Sequence, residues 1–198
     1  MTMSWSRFPH LFIFALSLLL VMGMACAAQD EKSPPTDDAP TAAPTDPSFT
    51  LIGRSKYGHP VMEFFVVGER FEMEISATAQ RREQGLGNRA QFLPNTGMIF
   101  VHPSNGIRSF WMKDCMFDID LAYLDSDGRI VALHEMKREP PRQPGENTKI
   151  YKERLKKYFS MKPARYALEF PPGTMKRLNF QVGQVIPLPH RNLRALTR

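Results

Sequence analysis

Two short β-rich runs on either side of Asp127-Gly128 constrain the fold of this chain more than any other feature. Ile119 to Leu124 and Arg129 to Glu135 read as the arms of a hairpin. Asp-Gly is a dipeptide that closes such a turn, because glycine accepts the positive φ the turn needs. The residues that feed this hairpin are Phe110-Trp111-Met112-Lys113-Asp114-Cys115-Met116-Phe117-Asp118-Ile119-Asp120. They set a tryptophan, a lysine and three carboxylates inside an apolar run. Unpaired charge in such a run is expensive, so this stretch marks a candidate site.

The same strand-and-turn pattern recurs along residues 49–198. Val61 to Val67 and Arg70 to Ile75 flank Gly68-Glu69, and the second arm alternates with period two, which predicts a hairpin with one wet face. Thr78 or Ser76 caps a short helix through Gln84 that Gly85 or Gly87 ends. Gly97 to Val101 and Ile107 to Met112 are expected strands joined by the Pro103-Ser104-Asn105-Gly106 turn. Pro140, Pro141, Pro144 and Gly145 make 138–148 a loop. Residues 149–158 are polar and read as helical. Arg165 to Phe170 is a strand, Pro171-Pro172-Gly173 breaks it, a short helix runs through Met175 and Leu178, and Val185 to Leu188 forms a closing strand. Many short strands with two or three short helices predict a mainly β fold, a sandwich or barrel-like antiparallel core.

The N-terminal quarter has a different character. Arg7 and His10 precede an apolar run from Leu11 to Met24, and small residues follow, the order of a secretory signal peptide over residues 1–27. Cys26 offers the alternative of a lipoprotein anchor. Residues 28–48 carry Pro34, Pro35, Pro40, Pro44 and Pro47 among Ala, Thr, Ser and Asp, and little to bury, which predicts a disordered linker. The expected location is therefore outside the cytoplasm, periplasmic or secreted, with membrane attachment only through Cys26. Residues 49–198 are the size of one domain. The net charge of +6 leaves +9 on this segment, and ten basic residues lie between Lys137 and Arg165. A solvated face explains them; anionic lipid or polysaccharide partners are the alternative. No nucleic-acid reader motif is present. With Cys26 removed or modified, Cys115 stands alone, so no internal disulfide is expected.

Four blocks in order give the chain a family resemblance. They are Arg82-Glu83-Gln84-Gly85-Leu86-Gly87-Asn88-Arg89; Gly97-Met98-Ile99-Phe100-Val101; Phe110-Trp111-Met112-Lys113 running to Asp120 and Asp125-Ser126-Asp127-Gly128; and Tyr158-Phe159-Ser160, Pro163-Ala164 and Ala167-Leu168-Glu169 before Gly173. Over most of residues 61–188 the chain resembles domain of unknown function 192, small bacterial and archaeal proteins, many of them exported. The resemblance implies a β-dominated fold and family positions at Arg89, Lys113 and Asp120. It implies no reaction. Asp114, Cys115, Asp118 and Gly87 depart from residues common in the family.

Strand alternation puts Trp111 and Lys113 on one face and Phe110 and Met112 on the other, toward the core. An indole beside an ammonium group suits an anionic or sugar-like ligand. The expected ligand site is Arg89, Trp111, Lys113 and Asp120 around one hollow; a structural salt bridge from Lys113 or Arg89 to Asp120 is the simpler alternative. The expected function is a non-catalytic module binding a small molecule or an envelope partner. The alternative is a hydrolase using Asp120 as base beside Lys113. No cofactor is expected, and the Met, Cys and His residues match no metal motif. A thiol next to Asp114 is disfavoured as a thiolate, so Cys115 reads as a small buried side chain.

Overall fold

A computed structural model describes residues 49–197. The expected signal peptide over 1–27, the linker over 28–48 and the fate of Cys26 lie outside the described residues. In chain order the elements are β1 (Thr50–Arg54), β2 (Pro60–Val66), β3 (Glu69–Ser76), α1 (Ala79–Gln84), β4 (Thr96–Gly106), β5 (Ser109–Phe110), β6 (Ile119–Leu124), β7 (Ile130–Met136), α2 (Thr148–Arg154), β8 (Tyr158–Phe159), β9 (Ala164–Phe170), α3 (Thr174–Arg177) and α4 (His190–Ala195). Seven strands form one sheet in the order β1-β2-β3-β4-β9-β6-β7, and β5 pairs with β8 in a separate ladder. The fold is mainly β, as the turn spacing predicts.

Local sequence explains the two principal hairpins. In β2–β3, Met62 faces Met73 and Phe64 faces Phe71. These side chains are buried, while Phe65, Arg70 and Glu72 face solvent. In β6–β7, the Asp125 carboxylate accepts the Asp127 and Arg129 amides, each at 2.9 Å, and Gly128 takes φ 79. Aspartate and glycine thus divide the turn between a hydrogen-bond acceptor and a positive φ.

One strand pair is parallel. β3 and β4 run side by side with Ile75 opposite Ile99, and α1 makes the connection between them. Parallel neighbours need such a crossover. Thr78 caps α1 by accepting the Arg81 amide at 3.3 Å, and Gly85 terminates it with φ 48.

β9, β6 and the Gly97–Val101 part of β4 are buried on both faces. Ile99, Val101, Ala122, Leu124, Tyr166, Leu168 and Phe170 join the apolar face of β2 and β3 in one cluster. Met98, Phe100, Leu121, Tyr123 and Ala167 pack with Leu86, Met112 and Cys115 in the other. Strands covered on both sides read as nearly continuous apolar runs, which is what these are. Packing at the strand junction is tight. A Cβ on Gly97 would collide with the Met73 side chain and sit 2.9 Å from the Glu169 carbonyl oxygen.

Two expected strands form differently. Ile107 to Met112 does not fold back on β4; only Ser109 and Phe110 pair, and their partner is β8. Arg108 directs this, because its amide donates to Ser160 Oγ, its carbonyl accepts the Ser160 amide, and its Nε reaches the Ala164 carbonyl. Val185 to Leu188 makes a single bridge, Arg129 to Val185, instead of a strand. α4 follows it and buries Leu193 in the first cluster.

Candidate functional site

The second apolar face of the inner strands is left partly open. A cleft of about 830 Å³ lies between α1 with its following loop, the sheet residues Phe100, His102 and Glu169, and the segment from Ser109 to Cys115. Glycine lets the loop come close. A Cβ on Gly87 would stand 3.3 Å from the Lys113 carbonyl oxygen, and the Asn88 amide donates to the Asp114 carbonyl at 2.8 Å. Asn88 and Asp114 take φ 60 and φ 56 to make this contact, the left-handed region that asparagine and aspartate tolerate. Tyr151 from α2 holds the far side. Its hydroxyl accepts the Asp114 amide at 2.9 Å and donates to Asp114 Oδ1 at 3.1 Å. The other carboxylate oxygen lies 2.6 Å from Lys113 Nζ, and this hydrogen bond raises the Lys113 pKa.

The four residues expected at the site separate into three roles. Trp111 and Lys113 both line the cleft, together with Phe110. Arg89 stands behind the loop with 5 % exposure. Its guanidinium holds both Glu74 carboxylate oxygens at 2.5 and 2.9 Å, reaches the Gly85 carbonyl, and covers the ring of Tyr57 at 3.9 Å. Tyr57 is a wall of the cleft, so Arg89 positions the wall and the loop from behind. Asp120 is not brought to the others. Successive residues of β6 point to opposite faces. Asp120 shares a face with Ala122 and Leu124, whereas the face toward the cleft carries Leu121 and Tyr123. The Asp120 carboxylate accepts the Met175 amide at the start of α3 at 2.8 Å. Burial raises its pKa, and the Met175 hydrogen bond opposes that shift. Neither the pairing of Asp120 with Lys113 nor its pairing with Arg89 forms; the partners are Asp114 and Glu74.

The principal polar group of the cleft is Glu169, which lies outside the expected set. It sits on β9 between Leu121 of β6 and Met98 of β4, 4 % exposed. Its Oε2 is buried without a hydrogen-bond partner, and so is Nε2 of His102, another lining residue. Burial pushes the Glu169 carboxyl up to about 8, with Arg89 pulling the other way. Burial pushes His102 down to about 3, aided by Arg108 and Arg82. The Cys115 thiol is pushed up to about 12 by burial first, then by Glu169 and Asp114. At neutral pH the interior therefore presents an uncharged carboxyl, an uncharged imidazole and a thiol beside aromatic rings. Phe100 and Phe110 meet edge to face at 4.7 Å between centroids. The only hint of Glu169 in the sequence is its place in the Ala167-Leu168-Glu169 block.

A comparison with curated proteins gives no match. Among solved structures, the chain is similar to a Novosphingobium aromaticivorans DSM 12444 protein of unknown function. That similarity has 18 % identity, covers 70 % of this chain and 91 % of that one, and reaches a TM-score of 0.55. It is also similar to a Sinorhizobium meliloti 1021 protein described as a candidate transcription regulator. Here the identity is 26 %, the coverage 67 % of this chain and 86 % of that one, and the TM-score 0.49. The first similarity supports the fold alone. Residues 63–188 match DUF192, described as an uncharacterized ACR, and this chain belongs to that family.

Proposed function

We propose that residues 49–198 form a binding module, acting outside the cytoplasm, for a small ligand that presents an uncharged, hydroxyl- or amide-bearing part to the cleft, such as the ring of a saccharide. One observation carries this reading: Glu169 lines the cleft, and its buried Oε2 has no hydrogen-bond partner in the protein. A buried polar atom left unpaired costs about 1–3 kcal/mol, so a ligand that pairs with it gains that much. A protonated carboxyl both donates and accepts, and so does a ligand hydroxyl. His102 Nε2 supplies a second polar contact, and Tyr57, Phe100, Phe110 and Trp111 supply the apolar walls on which sugar faces pack. Lys113 is neutralised by Asp114 and marks the rim.

Calorimetric titration of the full chain with a panel of neutral mono- and disaccharides tests the reading. Binding of at least one saccharide, weakened about tenfold or more in E169A, is expected. Absence of saccharide binding, or equal binding by E169A, contradicts it. The same carboxyl has the protonation that a general acid needs at neutral pH. Turnover of the bound saccharide, lost in E169Q with binding retained, would move the assignment to a hydrolase acting through Glu169. The extracytoplasmic location rests on the signal-like order of residues 1–27. Mass spectrometry of the mature N-terminus distinguishes a chain starting at Ala28 from one lipidated at Cys26.

A further inference from the structure

A second hollow of about 660 Å³ adjoins the cleft, and Trp111 lines both. Its other walls come from α2 and the residues after it: Asn147, Thr148, Lys149, Lys152, Glu153 and Lys157. Two ammonium groups converge on the same indole. Lys157 Nζ lies 3.2 Å from the ring centroid and Lys152 Nζ 5.7 Å. Cation–π attraction explains one ammonium on an indole face. A second brings like-charge repulsion, which an anion between them would remove. Lys152 is ion-paired, whereas Lys157 donates to the Lys152 carbonyl at 3.3 Å and forms no ion pair among the described residues. Glu83 is 4.0 Å from Lys152, Glu153 is 3.9 Å from Lys149, and Glu139 acts on Lys157 only through the electrostatic field. Burial and Lys152 both disfavour the charged form of Lys157.

We infer that Lys152 and Lys157 form an oxyanion site on Trp111, and that it takes a phosphate, sulfate or carboxylate group of the same ligand whose uncharged part enters the cleft. The inference rests on the proposed binding reading for the identity of the ligand, not for the anion site itself. Ammonium groups bind compact oxyanions by charge-assisted hydrogen bonds. An adjacent aromatic plane packs the carbon atoms that carry the oxyanion. The ligand is then an anionic saccharide, with its sugar ring against Glu169 and its charged group across Trp111.

The chain has two tryptophans, Trp5 and Trp111, so a full chain carrying W5F reports Trp111 fluorescence alone. Inorganic phosphate, sulfate and acetate are titrated against chloride at matched ionic strength. A saturable change with at least one oxyanion and none with chloride is expected. The affinity falls about tenfold in K152Q/K157Q and is retained in K152R/K157R. Glucose 6-phosphate is expected to bind at least about tenfold more tightly than glucose in the same assay. The site is overturned if no oxyanion gives a saturable response, or if K152Q/K157Q responds as the parent does. A lysine-dependent phosphate response with sugar binding indifferent to E169A keeps the anion site and removes the cleft reading. Glucose binding that depends on Glu169 without any preference for the phosphate ester does the reverse.

Discussion

Replacing Glu169 by glutamine removes an ionisable group while keeping its shape, and the account predicts that the variant is the more stable protein at neutral pH. In the unfolded chain the carboxyl titrates at its ordinary 4.5; in the fold burial moves it to about 8. Between these values the folded protein binds one more proton than the unfolded chain, so stability falls as pH rises. At 1.36 kcal/mol for each pH unit, holding the carboxyl protonated costs about 3 kcal/mol at pH 7, and the cost levels off near 5 kcal/mol above pH 8. Glutamine carries no such cost. Urea unfolding of both full chains from pH 4 to pH 9 measures the difference. E169Q and the parent should differ little at pH 4 through this group, and the gap in favour of E169Q should widen to about 3 kcal/mol by pH 7. Any constant offset from the amide shape drops out, because only the pH dependence of the gap is diagnostic. A gap that stays flat across this range refutes the argument that Glu169 is held neutral.

Other perturbations follow from the same packing. D120A strands the Met175 amide beneath α3 and should cost about 1–3 kcal/mol in chemical denaturation, while leaving saccharide and anion binding unchanged, since Asp120 faces away from the cleft. G97A should destabilise by about 1–3 kcal/mol, because its new methyl group meets the Glu169 carbonyl on β9, and backbone cannot swing aside as a side chain can. Cys115 should resist iodoacetamide at pH 7 in a C26S chain and react once urea unfolds it. Its thiol is buried and pushed up to about 12, so rapid labelling of the folded protein would contradict the burial.

The hairpins were legible because their signals are local. Alternation in Arg70–Ile75 and the Asp127-Gly128 turn each act within a few residues, and β2–β3 and β6–β7 form where those signals point. Trp111 and Lys113 were legible for the same reason. Their alternation with Met112 brings both to the cleft while Met112 is buried, but Phe110, expected on the core face with Met112, lines the cleft as well, since the regular strand ends there. Glu169 was not legible as a site residue. In Ala164–Phe170 a single glutamate within a strand does not tell from the sequence whether it faces water or a cleft. It is buried because β9 lies between β4 and β6 and its second face is roofed by Leu86, Phe110 and Met112, which are distant in sequence. Asp120 failed for a related reason. Its register is plain from the sequence, but which face of β6 meets the cleft is decided by α1 and the 109–115 segment, and those pack on the opposite side. The pairing of β5 with β8 likewise depends on Ser160 and Ala164 capturing Arg108 from more than fifty residues away.

The most direct measurement is a carboxyl ¹³C NMR titration of glutamate-labelled full chain, with E169Q identifying the Glu169 signal and a saccharide added in a second run. The account predicts a midpoint near 8 for Glu169 and a displaced signal when the ligand is bound. A midpoint near the ordinary 4.5, or a signal indifferent to every ligand that the protein binds, would contradict a neutral carboxyl facing an occupied cleft.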